Sequence, residues 1–193
     1  SKLTGVLSGA TWYEGGRADG KEDDILQRAD KNPNRRGFQI VAEHAGLTTK
    51  PLASLSADIA SGAVQGVLWL GHEHAADASL VDAVAGLSLK VGMASNKSAA
   101  VDALEVVAPT KVFEEVSGTW TNFEGRVQSL SAGPKAPHDT VEVWDAALQL
   151  TRMLGGEGAA AGSVADLAGE MSGDIAALAL PAAGTPETAS EAA

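Results

Sequence analysis

The chain has 193 residues, a formal net charge of −11 and no cysteine. This length predicts one domain with appendages. The acidic surface opposes binding to nucleic-acid phosphates, and the absence of cysteine excludes thiolate zinc sites, iron–sulfur clusters held by this chain, cysteine nucleophiles and disulfides. No apolar run approaches the roughly 20 residues of a membrane-spanning helix, and no secretory signal is visible. We therefore expect a soluble, intracellular, acidic domain.

Charge and composition divide the chain into three parts. Residues 1–50 carry eight bases and seven acids. Their poor apolar periodicity predicts an extended, partly irregular segment that lies over another surface. Residues 51–155 alternate helix and strand patterns. Residues 156–193 hold six acids, no base and 13 alanines, which is typical of an acidic tail ordered only in part, with one helix from Val164 to about Leu180.

The middle part predicts three strands connected by helices. The elements expected in chain order are a helix over 52–59 opened by Pro51, a strand over 64–70, a helix over 76–84, a strand over 88–94, a short helix over 98–104 and a strand over 105–108. Strands that alternate with helices of this size indicate βαβ units and hence a parallel sheet. The predicted fold class is α/β, a partial doubly wound parallel sheet.

The pattern changes after Pro109. Segments 111–116 and 127–130 alternate polar and apolar residues around a glycine-bounded loop, which predicts an appended hairpin. Asp139 with Glu142 resembles a capping box, and the apolar face from Val141 to Thr151 then predicts a helix that ends at Gly155. The parallel sheet is therefore expected to carry this hairpin and C-terminal helices.

The end of the first predicted strand carries Gly71-His72-Glu73-His74. Ligands of open α/β sheets bind outside the strand ends, and two imidazoles with a carboxylate are plausible metal ligands. A metal site needs three or four ligands, however, and His44 and His138 lie in unrelated segments. We therefore expect a polar turn here and no metal. Nucleophile-elbow and Walker motifs are also absent, so we expect no catalytic residue in this chain.

The segment from Ser117 to Gln128 is the densest in polar and glycine residues. Its backbone N–H groups could cradle a phosphate, and Arg126 could contact the phosphate in a bidentate manner. In the alternative interpretation, Trp120 and Phe123 pin the loop to a core, and Arg126 pairs with Glu124 or Glu114. The nearby acidic residues favour this second interpretation.

The run Gly118-Thr119-Trp120-Thr121-Asn122-Phe123-Glu124-Gly125-Arg126-Val127-Gln128 resembles the "G-T-x-T-N-x-E-G-R-x-Q" signature of the molybdopterin oxidoreductase family. The preceding run Ala103–Pro109 is similar to that family's "A-D-V-V-L-P" segment, and Pro137–Gly155 is similar to its "P-D-W … L-G" helix. The resemblance covers residues 51–155. It implies cofactor-contacting roles for Thr119, Asn122, Gly125 and Arg126.

Within this family the chain most resembles the branch formed by the G subunits of bacterial NADH:quinone oxidoreductases. The runs Trp12–Gly16 and Asp24–Asn34 are similar to that branch. The resemblance implies a non-catalytic, carboxyl-terminal structural domain of the peripheral arm, located in the cytoplasm and held near the inner membrane by partner subunits. It also implies iron–sulfur clusters and FMN elsewhere in the complex and no cofactor bound by this chain.

The chain departs from the family pattern at two places. His72-Glu73-His74 replaces a small turn that faces the pterin, and Ala94–Ala100 lacks the acidic and aromatic residues of the family. These departures imply that the four signature residues are vestigial. The alternative is a pterin-nucleotide-binding fragment of a molybdenum or tungsten oxidoreductase such as formate dehydrogenase.

Overall fold

A computed structural model of the chain describes residues 2–23, 25–71, 77–137, 139–156 and 162–179. The helices are α1 (Lys2–Val6), α2 (Arg35–His44), α3 (Leu55–Ala60), α4 (Ala78–Ala85), α5 (Ala99–Asp102), α6 (Val143–Met153) and α7 (Val164–Asp174). The strands are β1 (Trp12–Glu14), β2 (Thr49–Pro51), β3 (Gly66–Leu70), β4 (Leu89–Ala94), β5 (Val106–Pro109), β6 (Gly118–Thr121) and β7 (Val127–Leu130).

Three parallel strands in the order β3-β4-β5 form the central sheet, with Leu70 opposite Met93 and Ala94 opposite Pro109. Helices α4 and α5 connect these strands. A second, two-stranded parallel sheet pairs β1 with β2, and β6 pairs with β7 in an antiparallel hairpin. The predicted α/β class with a parallel sheet, an appended hairpin and C-terminal helices is confirmed.

The main core lies between the central sheet and helices α3, α4 and α5. Val84 is fully buried, and it packs with Leu55, Trp69, Leu80 and Ala100. Asp77 begins α4 by accepting a hydrogen bond from the Leu80 backbone N–H at 2.8 Å. Leu80 and Val84 of this helix lie in the same core cluster as Trp69 of β3.

Gly92 lies in the central strand β4 opposite Trp69. A Cβ atom at this position would lie 2.6 Å from the Leu104 side chain and 2.8 Å from the Trp69 carbonyl oxygen. The glycine therefore leaves room for the Leu104 side chain and for the backbone of the neighbouring strand at Trp69.

Tyr13 joins the N-terminal segment to α3. Its hydroxyl donates to Asp58 Oδ2 at 2.5 Å, and Lys50 Nζ donates to the same oxygen at 2.8 Å. Burial, the hydrogen bond to Asp58 and the charge of Asp58 raise the pKa of Tyr13 to about 12. The hydrogen bonds from Lys50 and Tyr13 lower the pKa of Asp58. The three groups form one linked polar contact.

The expectation of extended chain over residues 1–50 is wrong for α1 and α2. Helix α2 begins after Asn34, whose backbone is left-handed (φ 62°), and it buries Gly37 and Ala42. A glycine inside a helix lowers the helical signal of the sequence. Here Gly37 instead permits contact with Asn34 and Thr121, since a Cβ atom would lie 2.5 Å from Asn34 Oδ1 and 3.1 Å from Thr121 Oγ1.

Two expected boundaries after Pro109 are wrong. Segment 111–116 is not a strand: Phe113–Glu115 form a 3₁₀ turn, and the Glu115 carboxylate accepts a hydrogen bond from the Val112 N–H at 3.1 Å. Residues 118–121 of the expected loop form β6 instead.

The start of α6 also differs from expectation. Asp139 is not its cap, because the helix begins after Glu142. Val141 lies before the helix and extends the central sheet, donating from N to the Pro109 carbonyl oxygen at 3.0 Å. Gly155 follows the helix with φ 82°, as expected for a helix end.

The C-terminal helix is shorter than expected. Helix α7 ends at Asp174, because Ile175 adopts an extended backbone, and a 3₁₀ turn follows over Ala176–Leu178. Within the described residues, no helix is long and apolar enough to cross a membrane. The expected division into 1–50, 51–155 and 156–193 remains a prediction.

We expect the substitution Gly92→Ala to lower the free energy of unfolding of the 193-residue chain by about 1–3 kcal/mol, because overpacking strains a core. Urea denaturation measures this loss. Gly86→Ala is the matched control: Gly86 has φ −73° and its Cβ would make only ordinary contacts. An equal loss in both variants would contradict the role of Gly92.

Tyr13 is the only tyrosine of the chain, so absorbance at 295 nm reports its ionisation alone. We expect a midpoint near pH 12, against 10.0 for an unperturbed tyrosine. Because the folded pKa is the higher one, this contribution to stability is complete below pH 10 and is lost as the pH rises toward 12.

The matched variant is Asp58→Asn, which removes the charge but retains the burial of Tyr13. The midpoint should then fall part of the way toward 10, with circular dichroism confirming that each sample is folded. A midpoint near 10 in the folded native chain would show that the contact between Tyr13 and Asp58 does not form.

Candidate functional site

The signature loop, residues 118–130, is a β-hairpin in which Thr121 pairs with Val127 at the closed end. The turn is bounded by a hydrogen bond from Asn122 N to the Arg126 carbonyl oxygen at 2.9 Å. Gly125 donates to the Asn122 carbonyl oxygen and has φ 86°, which favours glycine there. The sequence thus places a glycine where the turn needs a left-handed residue.

The Asn122 side chain closes this turn from inside. Its Oδ1 accepts from the backbone N–H groups of Glu124 at 3.0 Å and Arg126 at 2.8 Å. Together with the N–H groups of Asn122 and Gly125, four amides of the turn donate to the turn itself. These are the groups that a phosphate-binding loop would direct at a ligand.

Helix α2 holds the strand that leads into the turn. The Thr121 backbone N–H donates to Asn34 Oδ1 at 2.9 Å, and the Thr121 side chain is buried. Thr119 is half-buried within β6 and pairs with Ser129. The two polar residues of this strand therefore contribute to packing and pairing within the fold.

The two aromatic residues of the signature loop have different surroundings. The Trp120 ring lies 5.8 Å from that of Phe113. Phe123 is 56% exposed, and the Arg28 guanidinium carbon lies 4.4 Å from its ring centroid. The expectation that Phe123 pins the loop to a core is therefore wrong: it makes a surface cation–π contact.

A separate cavity of about 660 Å³ lies at the carboxyl ends of β3, β4 and β5. Its lining residues include Gly71, Met93, Asn96, Thr110 and Lys111. This is where ligands of open α/β sheets bind. None of Thr119, Asn122, Gly125 or Arg126 is among the residues described as lining it. Phe113 does line the cavity, and its ring contacts that of Trp120 in the hairpin.

The cavity's lysine is neutralised by a carboxylate. Lys111 Nζ lies 2.8 Å from Glu142 Oε1, and Trp144 Nε1 donates to the other carboxylate oxygen at 2.5 Å. Burial opposes ionisation of Glu142, but the hydrogen bonds from Lys111 and Trp144 outweigh it and lower the pKa of Glu142. Glu114 adds an acidic group to the lining itself. The cavity therefore offers little positive charge to a pyrophosphate.

The structure describes only some of the predicted strand-end residues. Gly71 lines the cavity, but His72, Glu73, His74 and His138 lie outside the described residues. Among the residues that are described, no group of three or more histidine, aspartate and glutamate side chains could hold a metal ion. Sequence reasoning missed the cavity because its lining comes from segments far apart in the chain.

Asn122→Ala should lower the free energy of unfolding by about 1 kcal/mol, because two backbone N–H groups lose their acceptor. Asn122→Asp retains an oxygen at the acceptor position and should restore most of this loss. Thermal and urea denaturation of both variants measure the difference. If the free energy of unfolding of Asn122→Ala lies within about 0.5 kcal/mol of that of the native chain, the structural role of this side chain is contradicted.

No family model matches the chain, and no curated protein matches it. The resemblance to molybdopterin oxidoreductases therefore rests on the motifs of residues 103–109, 118–128 and 137–155.

Proposed function

We propose that this chain is a non-catalytic structural domain of a peripheral-arm subunit, the G subunit, of a respiratory NADH:quinone oxidoreductase. In this proposal the chain keeps a fold related to molybdopterin oxidoreductases and has lost the cofactor site. Its partners are other subunits of the complex or the remainder of its own subunit. Those partners hold it on the cytoplasmic side of the inner membrane.

The observation that carries the proposal is the closed turn of the signature loop. Asn122 Oδ1 accepts from the N–H groups of Glu124 and Arg126, which would otherwise be available to a phosphate. Thr121 N donates to Asn34. Residues that resemble a cofactor-binding signature thus use these polar groups to stabilise the fold.

Two observations support the loss of a pterin-nucleotide site. The four signature residues do not line the strand-end cavity, and the cavity's Lys111 is paired with Glu142. A diphosphate that used the turn amides would have to break the Asn122 hydrogen bonds, and one that used Lys111 would have to displace Glu142. The chain also lacks cysteine, so iron–sulfur clusters would be held by other parts of the complex, where FMN is also expected.

One observation favours a second candidate, a pterin-nucleotide-binding fragment of a molybdenum or tungsten oxidoreductase. The cavity of about 660 Å³ lies where such α/β domains bind ligands, and it has the volume of a small-molecule site. The charges at its lining favour the structural role.

Purification of the native assembly that contains this chain distinguishes the two candidates. We expect iron, flavin and NADH-dependent quinone reduction, with no molybdenum, tungsten or pterin. Inductively coupled plasma mass spectrometry and fluorescence of oxidised pterins measure these components. Stoichiometric molybdenum or tungsten with a pterin would overturn the structural proposal.

A variant test on the same assembly gives an independent control. Asn122→Asp retains an acceptor oxygen in the turn and should leave NADH-dependent quinone reduction unchanged, because the proposal assigns this loop no step of that reaction. A loss of activity with intact subunit composition would contradict a purely structural role.

A further inference from the structure

The strand-end cavity is lined by a buried residue whose hydroxyl group the fold does not use. Thr110 lines the cavity and is only 5% exposed. Its backbone is fixed in the sheet, since Thr110 N donates to the Ala94 carbonyl oxygen at 2.9 Å and Thr110 pairs with Val141. Within the part of the chain that the structure describes, its side-chain oxygen has no hydrogen-bond partner, and this oxygen is not completely enclosed by protein. The hydroxyl is therefore available to a ligand in the cavity.

The lining next to this hydroxyl is rich in apolar side chains. The Phe113 ring is 52% exposed, and contact with the Trp120 ring, 5.8 Å away, holds it in place. A fixed aromatic face that is open to a cavity favours a flat ring that can stack against it. The volume of about 660 Å³ is in the range of small-molecule sites. The apolar lining residues are Met93, Val112, Phe113, Pro134 and Val143.

The charges at the lining favour an uncharged ligand. Lys111 Nζ lies 2.8 Å from Glu142 Oε1, so its charge is neutralised within the fold. Glu114 is exposed, and water screens its carboxylate. A charged ligand group would lose its hydration against the apolar lining without gaining an opposite charge that is both unpaired and buried. An uncharged polar group loses less and can pair with the Thr110 hydroxyl.

We propose that the strand-end cavity binds an uncharged aromatic molecule whose hydroxyl or carbonyl group pairs with the Thr110 hydroxyl while its ring lies against Phe113. This inference does not depend on the function proposed above, because it concerns a small molecule and no contact between subunits. The ligand also differs in charge from a pterin nucleotide, whose phosphate groups gain little from the paired Lys111.

Methionine methyl NMR tests the site in the native chain. The chain has three methionines, of which Met93 lines the cavity, whereas Met153 lies in α6, is 84% exposed and is not among the lining residues. The full chain with carbon-13-labelled methionine methyl groups is titrated with tryptophol, an uncharged indole that carries one hydroxyl. We expect a saturable shift of the Met93 signal and no shift of the Met153 signal. No saturable shift at Met93, or equal shifts at both methionines, would overturn the proposal.

Two charged analogues of tryptophol test the ligand class. Indole-3-acetate and tryptamine have the same carbon skeleton, but at neutral pH the first is an anion and the second a cation. Each should bind at least about fivefold more weakly than tryptophol, because its charged group loses hydration in the cavity. Binding of either analogue as tightly as tryptophol would overturn the proposed class.

The variant Thr110→Val removes the hydroxyl and retains the branched shape. Its dissociation constant for tryptophol should rise about fivefold, as expected for one hydrogen bond. Its urea midpoint should not fall, because the hydroxyl has no partner within the fold, and this readout separates a ligand contact from a structural role. The matched control is Thr49→Val, since Thr49 is exposed in β2 and is not among the lining residues, and it should leave the affinity unchanged.

Equal affinity of Thr110→Val and the native chain for tryptophol would overturn the proposal, with circular dichroism confirming that the variant folds. If the variant does not fold, the hydroxyl has a structural role and the proposal is also overturned. The iron, flavin and pterin content of the native assembly is read separately, so these results leave the respiratory function to its own test.

Discussion

The hydrogen bond from the Thr121 N–H to Asn34 Oδ1 joins segments 87 residues apart, and much of the structure's arrangement depends on it. It requires the left-handed backbone of Asn34 and the absence of a side chain at Gly37. It joins the start of α2 to β6, the strand that leads into the signature turn. A chain in which alanine is abundant and only 4% of residues are aromatic is held together by such polar contacts as well as by its core.

The signature loop shows how a polar, glycine-containing segment can support a fold. A turn with several free N–H groups is suited to an anion, whereas the same turn with an internal acceptor is already satisfied. Asn122 supplies that acceptor within the turn. The strand-end cavity has a comparable arrangement, in which Glu142 balances Lys111. In both places polar groups are paired internally, and the structural proposal rests on that pairing.

The sequence predicted the central sheet because β3, β4 and β5 are apolar, glycine-bounded runs between helical patterns. It did not predict α2, because Gly37 weakens the helical signal. The need for a glycine at this position comes from its contact with Thr121, which lies far along the chain. The predicted position of the hairpin was wrong because the alternation over 111–116 resembles a strand. In the structure the turn at Asn122 instead makes 118–121 the partner of β7. The candidate loop was found from its motif, but the pairing of Lys111 with Glu142 depends on tertiary structure and no local pattern indicates it.

Amide hydrogen exchange of the isolated 193-residue chain, followed residue by residue by NMR, tests the central claim most directly. The claim is that the signature turn is satisfied by its own groups without any ligand. The account predicts that the amides of Thr121, Glu124 and Arg126 exchange well below free-peptide rates in plain buffer, with no change on addition of pyrophosphate or GMP. Exchange at free-peptide rates, with protection only when one of these anions is added, would contradict it.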